Sequence, residues 1–344
     1  MSAAATVAVY FVASPLQYLA ARRIARSFDV GARHVLLWYK PALASVIDPG
    51  EWDACAYLPW PRWDPMPGPF GRHRRLRANV REVAALVGPC GQLLLHSAVF
   101  DTEAINYFLN ALPAACGARS MHARILPDGI LSVRRYPLSP LRRSLQWMRK
   151  LRRLAAPELD YRRFTGDRTG SDASFCDRVY VVAGLPHEYE ASKVRELPAL
   201  VEVPARPGGN GGERRALVVG QPLTGFRLMS HEDLAVVTAS IRAWLADEGF
   251  AQIDYKAHPK DATNELNHPD YRKIDPPVAL EVHLARSAYD AVVGVRSSAL
   301  LFARQIDPEH VRAVAFGWDR VRFESDDERG AMRAAFEACG VEFR

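Results

Sequence analysis

Two α/β domains built on parallel sheets are what the sequence predicts, and three observations carry that prediction. Apolar, β-branched runs alternate with helical patterns along the whole chain, the order expected when parallel strands are joined by crossover helices. The 344 residues, 49% of them apolar, exceed what one hydrophobic core usually holds. Between Val203 and Arg214 runs Pro-Ala-Arg-Pro-Gly-Gly-Asn-Gly-Gly-Glu, which cannot bury apolar area and reads as an exposed linker. The domains are therefore placed at 1–203 and 216–344, with 204–215 as the linker.

In the first domain Val7 to Ala13 reads as a strand, followed by a helix from Pro15 to Phe28 with proline at its first position. Further strands are read at His34 to Tyr39, Gln92 to His96, Ala123 to Leu126 and Arg178 to Val182. The second domain opens with Ala216 to Gly220 and a helix capped by Ser230, with Asp233 three residues on and Leu234, Val237, Ile241 and Leu245 in one stripe. Gln252 to Ala257 and Tyr289 to Val295 are its next strands. Ser325 to Glu328 forms a capping box that opens a final helix with Met332, Ala335, Phe336 and Cys339 on one face and Gly340 as its stop.

Composition narrows the class. Five scattered cysteines without C-x-x-C spacing disfavour a disulfide framework and a structural zinc site, and fit a reducing cytoplasm. No apolar run reaches the roughly 18 to 20 residues of a membrane span, and the start lacks a basic region ahead of its apolar run, so the chain reads as soluble or peripheral. The net charge of +6 is uneven: residues 61–163 hold 18 Lys and Arg against 7 Asp and Glu, an excess of 18 − 7 = +11. That excess reads either as a solvated helical face or as a surface for something anionic, with Arg142 to Arg153 the candidate for an anionic inner-membrane surface. Nucleic acid is not expected, since the basic clusters lack interleaved aromatics beyond Trp147 and no nucleic-acid motif accompanies them.

Three short segments carry candidate chemistry. His258-Pro259 directly follows a strand, at the edge where open α/β sheets bind ligands; Pro259 ends that strand and fixes its neighbour in an extended conformation. The other His-Pro pair, His268-Pro269, lies in a polar stretch with no strand before it. His258 is thus read as a phosphate ligand, against the plainer role of loop anchor. Ser297-Ser298 sits between a strand and an apolar helix, where free backbone N–H groups and the helix dipole favour an anion; simple capping would need only one of the two serines. Asp128-Gly129 follows a third strand, in a turn that leaves a carboxylate outward as a possible general base. An ordinary Asp-Gly turn is the competing account. Glu248, in Asp247-Glu248-Gly249, is a weaker candidate because it ends a helix in the same domain as His258, whereas a base for the acceptor should face the donor from the other domain.

Asp128-Gly129, His258-Pro259 and Ser297-Ser298, in this order, resemble the bacterial GT-B sialyltransferases, namely the lipooligosaccharide sialyltransferases and capsule polysialyltransferases. Ser14-Pro15-Leu16-Gln17 and Gly220-Gln221-Pro222-Leu223 agree with that pattern and add Ser14, Gln17, Gly129, Gly220, Gln221 and Pro259 as further cleft candidates. The resemblance implies two Rossmann-like domains facing across a cleft and an inverting transfer of sialic acid from CMP-sialic acid to a hydroxyl of a lipopolysaccharide, capsule or similar glycan. It implies Asp128 as base, His258 as ligand and stabiliser of the leaving phosphate, and Ser297 and Ser298 as a phosphate-binding pair. The position before Asp128, acidic in the family, is Pro127 here. A CMP donor expels a monophosphate ester, which needs less neutralisation than a diphosphate. With no D-x-D triplet in the chain, neither a metal nor another cofactor is expected. CMP-Kdo or another CMP-nonulosonate is the close alternative donor, and a non-catalytic protein that binds an acidic glycan or nucleotide is the alternative class.

Overall fold

The computed structural model of the protein describes residues 5–129, 135–201, 213–258 and 260–344. The chain divides into two compact units, residues 1–183 with 187–200, and residues 184–186 with 201–344. The linker read at 204–215 lies outside the described residues up to 212, and Pro259 lies outside them as well.

Unit 1 is a parallel sheet of seven strands: β1 (Thr6–Val12), β2 (Arg33–Trp38), β3 (Ala54–Tyr57), β4 (Gln92–Ser97), β5 (Ser120–Ile125), β6 (Cys176–Val182) and β7 (Val194–Leu197), in the order β3-β2-β1-β4-β5-β6-β7. Its helices are α1 (Pro15–Ser27), α2 (Gly71–Val87), α3 (Glu103–Asn106), α4 (Phe108–Cys116) and α5 (Pro140–Lys150). One face of the sheet supplies Val7, Val9, Phe11, Val35, Leu37, Leu93 and Leu95 to the main core. Alternation along β1 sends Ala8, Tyr10 and Val12 to the other face, where Tyr10 stacks on His96 at a ring separation of 4.3 Å. Buried beside them, Asp29 accepts from Tyr10 Oη at 2.9 Å and pairs with His96 at 3.1 Å and with Arg124. These partners outweigh its burial and hold the Asp29 carboxyl well below the usual carboxylate range.

Unit 2 repeats the plan. Strands β8 (Arg215–Val219), β9 (Gln252–Lys256), β10 (Arg272–Ile274), β11 (Ala291–Gly294), β12 (Arg312–Ala315) and β13 (Glu342–Phe343) form a parallel sheet in the order β10-β9-β8-β11-β12-β13. The connecting helices are α6 (His231–Asp247), α7 (Leu280–Arg286), α8 (Ser298–Ile306) and α9 (Asp326–Ala338). The caps read from sequence form: Ser230 Oγ accepts from Asp233 N at 3.0 Å and Ser325 Oγ from Glu328 N at 3.1 Å. Val237, Ile241 and Leu245 of α6 are buried against the sheet. Beyond the final helix the chain adds β13 alongside β12, a strand too short to signal in the sequence.

In both sheets the first and fourth strands in chain order lie side by side with the second and third on one flank, so the strand order reverses between β1 and β4 and between β8 and β11. Open α/β sheets bind ligands outside the carboxyl ends of the strands at such a reversal.

Candidate functional site

The carboxyl edge of each sheet carries a polar cluster. In unit 1, Val12 lies level with Trp38, and Ser97 with Ile125, so the loops leaving β1, β2, β4 and β5 emerge at one height. They line a cavity of about 230 Å³ with Ser14, Gln17, Tyr39, Lys40, Thr102 and Asp128 on its wall. Ser14 caps α1 by accepting from Gln17 N at 3.3 Å. The Gln17 amide bridges the site: its Oε1 accepts from Ala13 N at 2.7 Å and its Nε2 donates to Asp128 Oδ1 at 2.8 Å. The Ala13 bond fixes which end of the amide faces Asp128, because a backbone N–H can only donate.

Asp128 leaves β5 in a turn closed by Gly129 at φ 55°. Burial raises the Asp128 pKa above the ordinary value, opposed by the Gln17 hydrogen bond and the Lys40 charge. Burial also pushes the Tyr39 phenol up, with the Asp128 carboxylate adding to it. Asp128 is therefore a shielded carboxylate with one oxygen held and a proton affinity above that of a free aspartate, which suits a general base.

In unit 2, Val219 lies level with Lys256, and Val218 with Val293. The loops after β9, β8 and β11 therefore leave adjacent strands at one height, bringing His258, Gly220-Gln221 and Ser297-Ser298 to the same edge. Gln221 Oε1 accepts from Arg296 N at 2.9 Å, tying the β8 loop to the β11 loop. Gly220 is required by packing, since a Cβ there would sit 2.4 Å from Tyr255 Oη. Ser297 caps α8, its Oγ accepting from Ala299 N at 3.3 Å, and Ser298 is the first residue of that helix. His258 Nδ1 accepts from Lys260 N at 3.1 Å. In the neutral ring the proton therefore lies on Nε2, which makes that nitrogen a donor. Burial, then the charge of Lys260, holds the His258 pKa below its ordinary value.

The weaker candidates sort by the same geometry. Glu248 precedes β9, at the opposite edge from His258, and is paired with Arg312 at 2.9 Å and Arg214 at 3.3 Å. His268 accepts from Asp270 N at 3.3 Å within a loop and anchors a turn. One residue escaped the sequence reading: Glu281, in the first turn of α7, whose carboxyl pKa is raised by burial. α7 follows β10 after residues 275–279, so Glu281 comes after the carboxyl end of β10 as His258 comes after that of the neighbouring β9. No local signal marks Glu281. Among the described residues no group of three or more His, Cys, Asp or Glu is placed to hold a metal ion.

The basic run Arg142 to Arg153 is largely ion-paired. Arg142 pairs with Asp101 at 3.1 Å, Arg149 with Asp101 at 3.8 Å, and Arg152 with Glu103. These cations are engaged with the protein's own carboxylates, so most of the run is not the free basic surface the sequence suggests. No helix among the described residues is long and apolar enough to cross a membrane.

Two successive parallel-sheet α/β units of this kind are the fold shared with the GT-B glycosyltransferases. Residues 185–311 match the family model described as alpha-2,8-polysialyltransferase (POLYST), so the resemblance to the bacterial sialyltransferases read from short motifs stands. The matched span holds Gly220, Gln221, His258, Ser297 and Ser298, and leaves out Ser14, Gln17 and Asp128. Among solved structures the chain is similar to the alpha/beta-galactoside alpha-2,3-sialyltransferase of Photobacterium phosphoreum, with 10% identity, 98% of each chain covered and a TM-score of 0.56. It is also similar to a putative UDP-N-acetylglucosamine 2-epimerase from Listeria monocytogenes, with 11% identity, 98% of this chain and 88% of that chain covered and a TM-score of 0.51. At these identities the likeness is one of fold. No curated protein matches the chain.

Proposed function

We propose that the protein transfers a sialic acid, or a related nonulosonate, from its CMP conjugate to a hydroxyl of a bacterial surface glycan, with inversion and without a metal. The observation that carries this reading is the His258 ring. Its Nδ1 is occupied by Lys260 N–H, so Nε2 offers a proton at the edge where the capped N-terminus of α8 also lies. An imidazole donor, serine hydroxyls and a helix N-terminus suit a departing monophosphate. Glu281 at that edge would accept hydrogen bonds from donor hydroxyls.

In this reaction the acceptor O–H proton passes to Asp128, and the acceptor oxygen bonds to the anomeric carbon of the donor. The bond from that carbon to the phosphate oxygen breaks, and CMP leaves with the electron pair. His258 Nε2–H, the Ser297 and Ser298 hydroxyls and the backbone N–H groups that open α8 stabilise the charge on the leaving phosphate. Each such donor is worth roughly 2 to 4 kcal/mol in comparable sites. Gln17 holds Asp128 in place and does not itself exchange a proton.

The test offers CMP-sialic acid and CMP-Kdo separately with a glycan acceptor, and follows CMP release and the anomeric configuration of the product. Inverted product from CMP-sialic acid, lost in Asp128→Asn and in His258→Ala, is expected. CMP release with CMP-Kdo alone would transfer the reading to that donor. Absence of transfer and of donor hydrolysis, with glycan binding intact in both wild type and Asp128→Ala, would establish a binding protein instead.

A further inference from the structure

The helix α5 is turned inside out. Its polar side faces the protein, where Gln146, buried, donates to Asp101 Oδ1 at 3.3 Å and accepts from Phe164 N at 3.1 Å, and where Arg142 and Arg149 pair with Asp101. Its apolar side faces solvent. Leu141, Met148, Leu151 and Leu154, on α5 and the short 3-10 turn that continues it, are between 61% and 80% exposed. Their spacing of seven, three and three residues, with Trp147 one turn before Leu151, makes one continuous stripe.

Amphipathic helices of soluble proteins normally bury the apolar face, and an apolar stripe shown to water marks a contact surface. The rim of this stripe identifies the contact. Arg143 and Arg163 are exposed beside it, the Arg163 guanidinium lying 3.2 Å from the Trp147 ring centre, while Arg153 is paired with Asp160 at 3.8 Å. Arg152, where the stripe ends, also lines a cavity of about 320 Å³ with Phe70, Arg72 and His73. Phe70 is exposed and held at φ 56°, a left-handed conformation that bulky residues rarely adopt. A convex apolar stripe edged by cations complements one partner above all, the interface of an anionic bilayer, which takes apolar side chains at its acyl boundary and cations at its phosphates.

We propose that α5 and the turn after it dock the protein on an anionic phospholipid surface by inserting Leu141, Trp147, Met148, Leu151 and Leu154, while Arg143 and Arg163 meet headgroup phosphates. The apolar face, not the arginine run, is the primary anchor, because most of that run is already paired. This proposal is independent of the transfer reading, since docking is read without any sugar donor.

The full chain is floated with vesicles of phosphatidylcholine alone and of phosphatidylcholine mixed with phosphatidylglycerol. Binding to the mixed vesicles only is expected. Leu151→Ser with Leu154→Ser should lower it at least about tenfold, as the loss of two inserted leucines requires, with unchanged circular dichroism. Arg143→Glu with Arg163→Glu should weaken it most at low salt. No binding to either vesicle, or equal binding by the leucine variant, would overturn the proposal. So would a dimer seen by light scattering that the leucine substitutions convert to monomer, which would assign the stripe to a second copy of the chain.

Discussion

Asp128 shows how a residue gains a chemical role from its surroundings. Burial raises its pKa, so the folded protein binds that proton more tightly than the unfolded chain does. Stability on this account declines as pH rises from the unfolded value through the raised folded value, and ionised Asp128 is a burden at neutral pH. Asp128→Asn is expected to lower transfer by about 10² to 10⁴-fold, while thermal melting at neutral pH shows a Tm no lower than that of the wild type. A drop in Tm would assign Asp128 a structural role. Gln17→Leu tests positioning. Its hydrogen bond lowers the Asp128 pKa, so removing it should move the acid limb of the kcat/KM profile to higher pH, which a merely structural defect would not do. That Asp128 follows a strand was legible in the sequence. That Gln17, 111 positions away, holds it was not, since nothing local encodes a partner across two strands.

At the scale of the element, α8 separates the two serines. Ser297 caps the helix and Ser298 opens it. Ser297→Ala should therefore cost about 0.5 to 2 kcal/mol in denaturant unfolding and also weaken donor binding. Ser298→Ala should raise the donor KM with little change in stability. Equal stability losses in the two variants would contradict this division. Caps and stripes were readable because they depend on residues three or four apart. The outward apolar face of α5 was not readable, because period alone cannot say which face the core takes. Here Asp101 and Glu103 settle it by drawing the arginines inward. β3, β7, β10 and β13, each of two to four residues, are too short for a periodic signal and exist through pairing with their neighbours.

At the scale of the whole molecule, each unit carries a buried charged cluster across its sheet. In unit 2 Asp254 accepts from Arg272 at 2.8 and 2.9 Å, from Arg215 at 3.3 Å and from Tyr289 Oη at 2.7 Å. Although burial opposes it, these partners bring the Asp254 pKa down to about 2 from an ordinary 3.8. Its contribution is thus complete above about pH 4 and is lost as pH falls from 3.8 through about 2. Asp254→Asn, which leaves Arg272 and Arg215 without their carboxylate, should destabilise unit 2 by about 1 to 3 kcal/mol. Calorimetry on the full chain should then show unit 2 melting earlier while the transition of unit 1 stays in place. Two separate cores make such a split transition reasonable, and a single unshifted transition would refute it.

The amino-acid sequence by itself determined the α/β class, the two sheets, the helix caps and the residues that leave the strands, because each follows from period, turn chemistry or a few neighbouring positions. The tertiary structure alone decided which strand ends stand side by side, that the Gln17 amide faces Asp128, and that α5 shows its leucines to solvent. Those outcomes depend on strand order and on charges brought together from distant parts of the chain, and neither is encoded at short range.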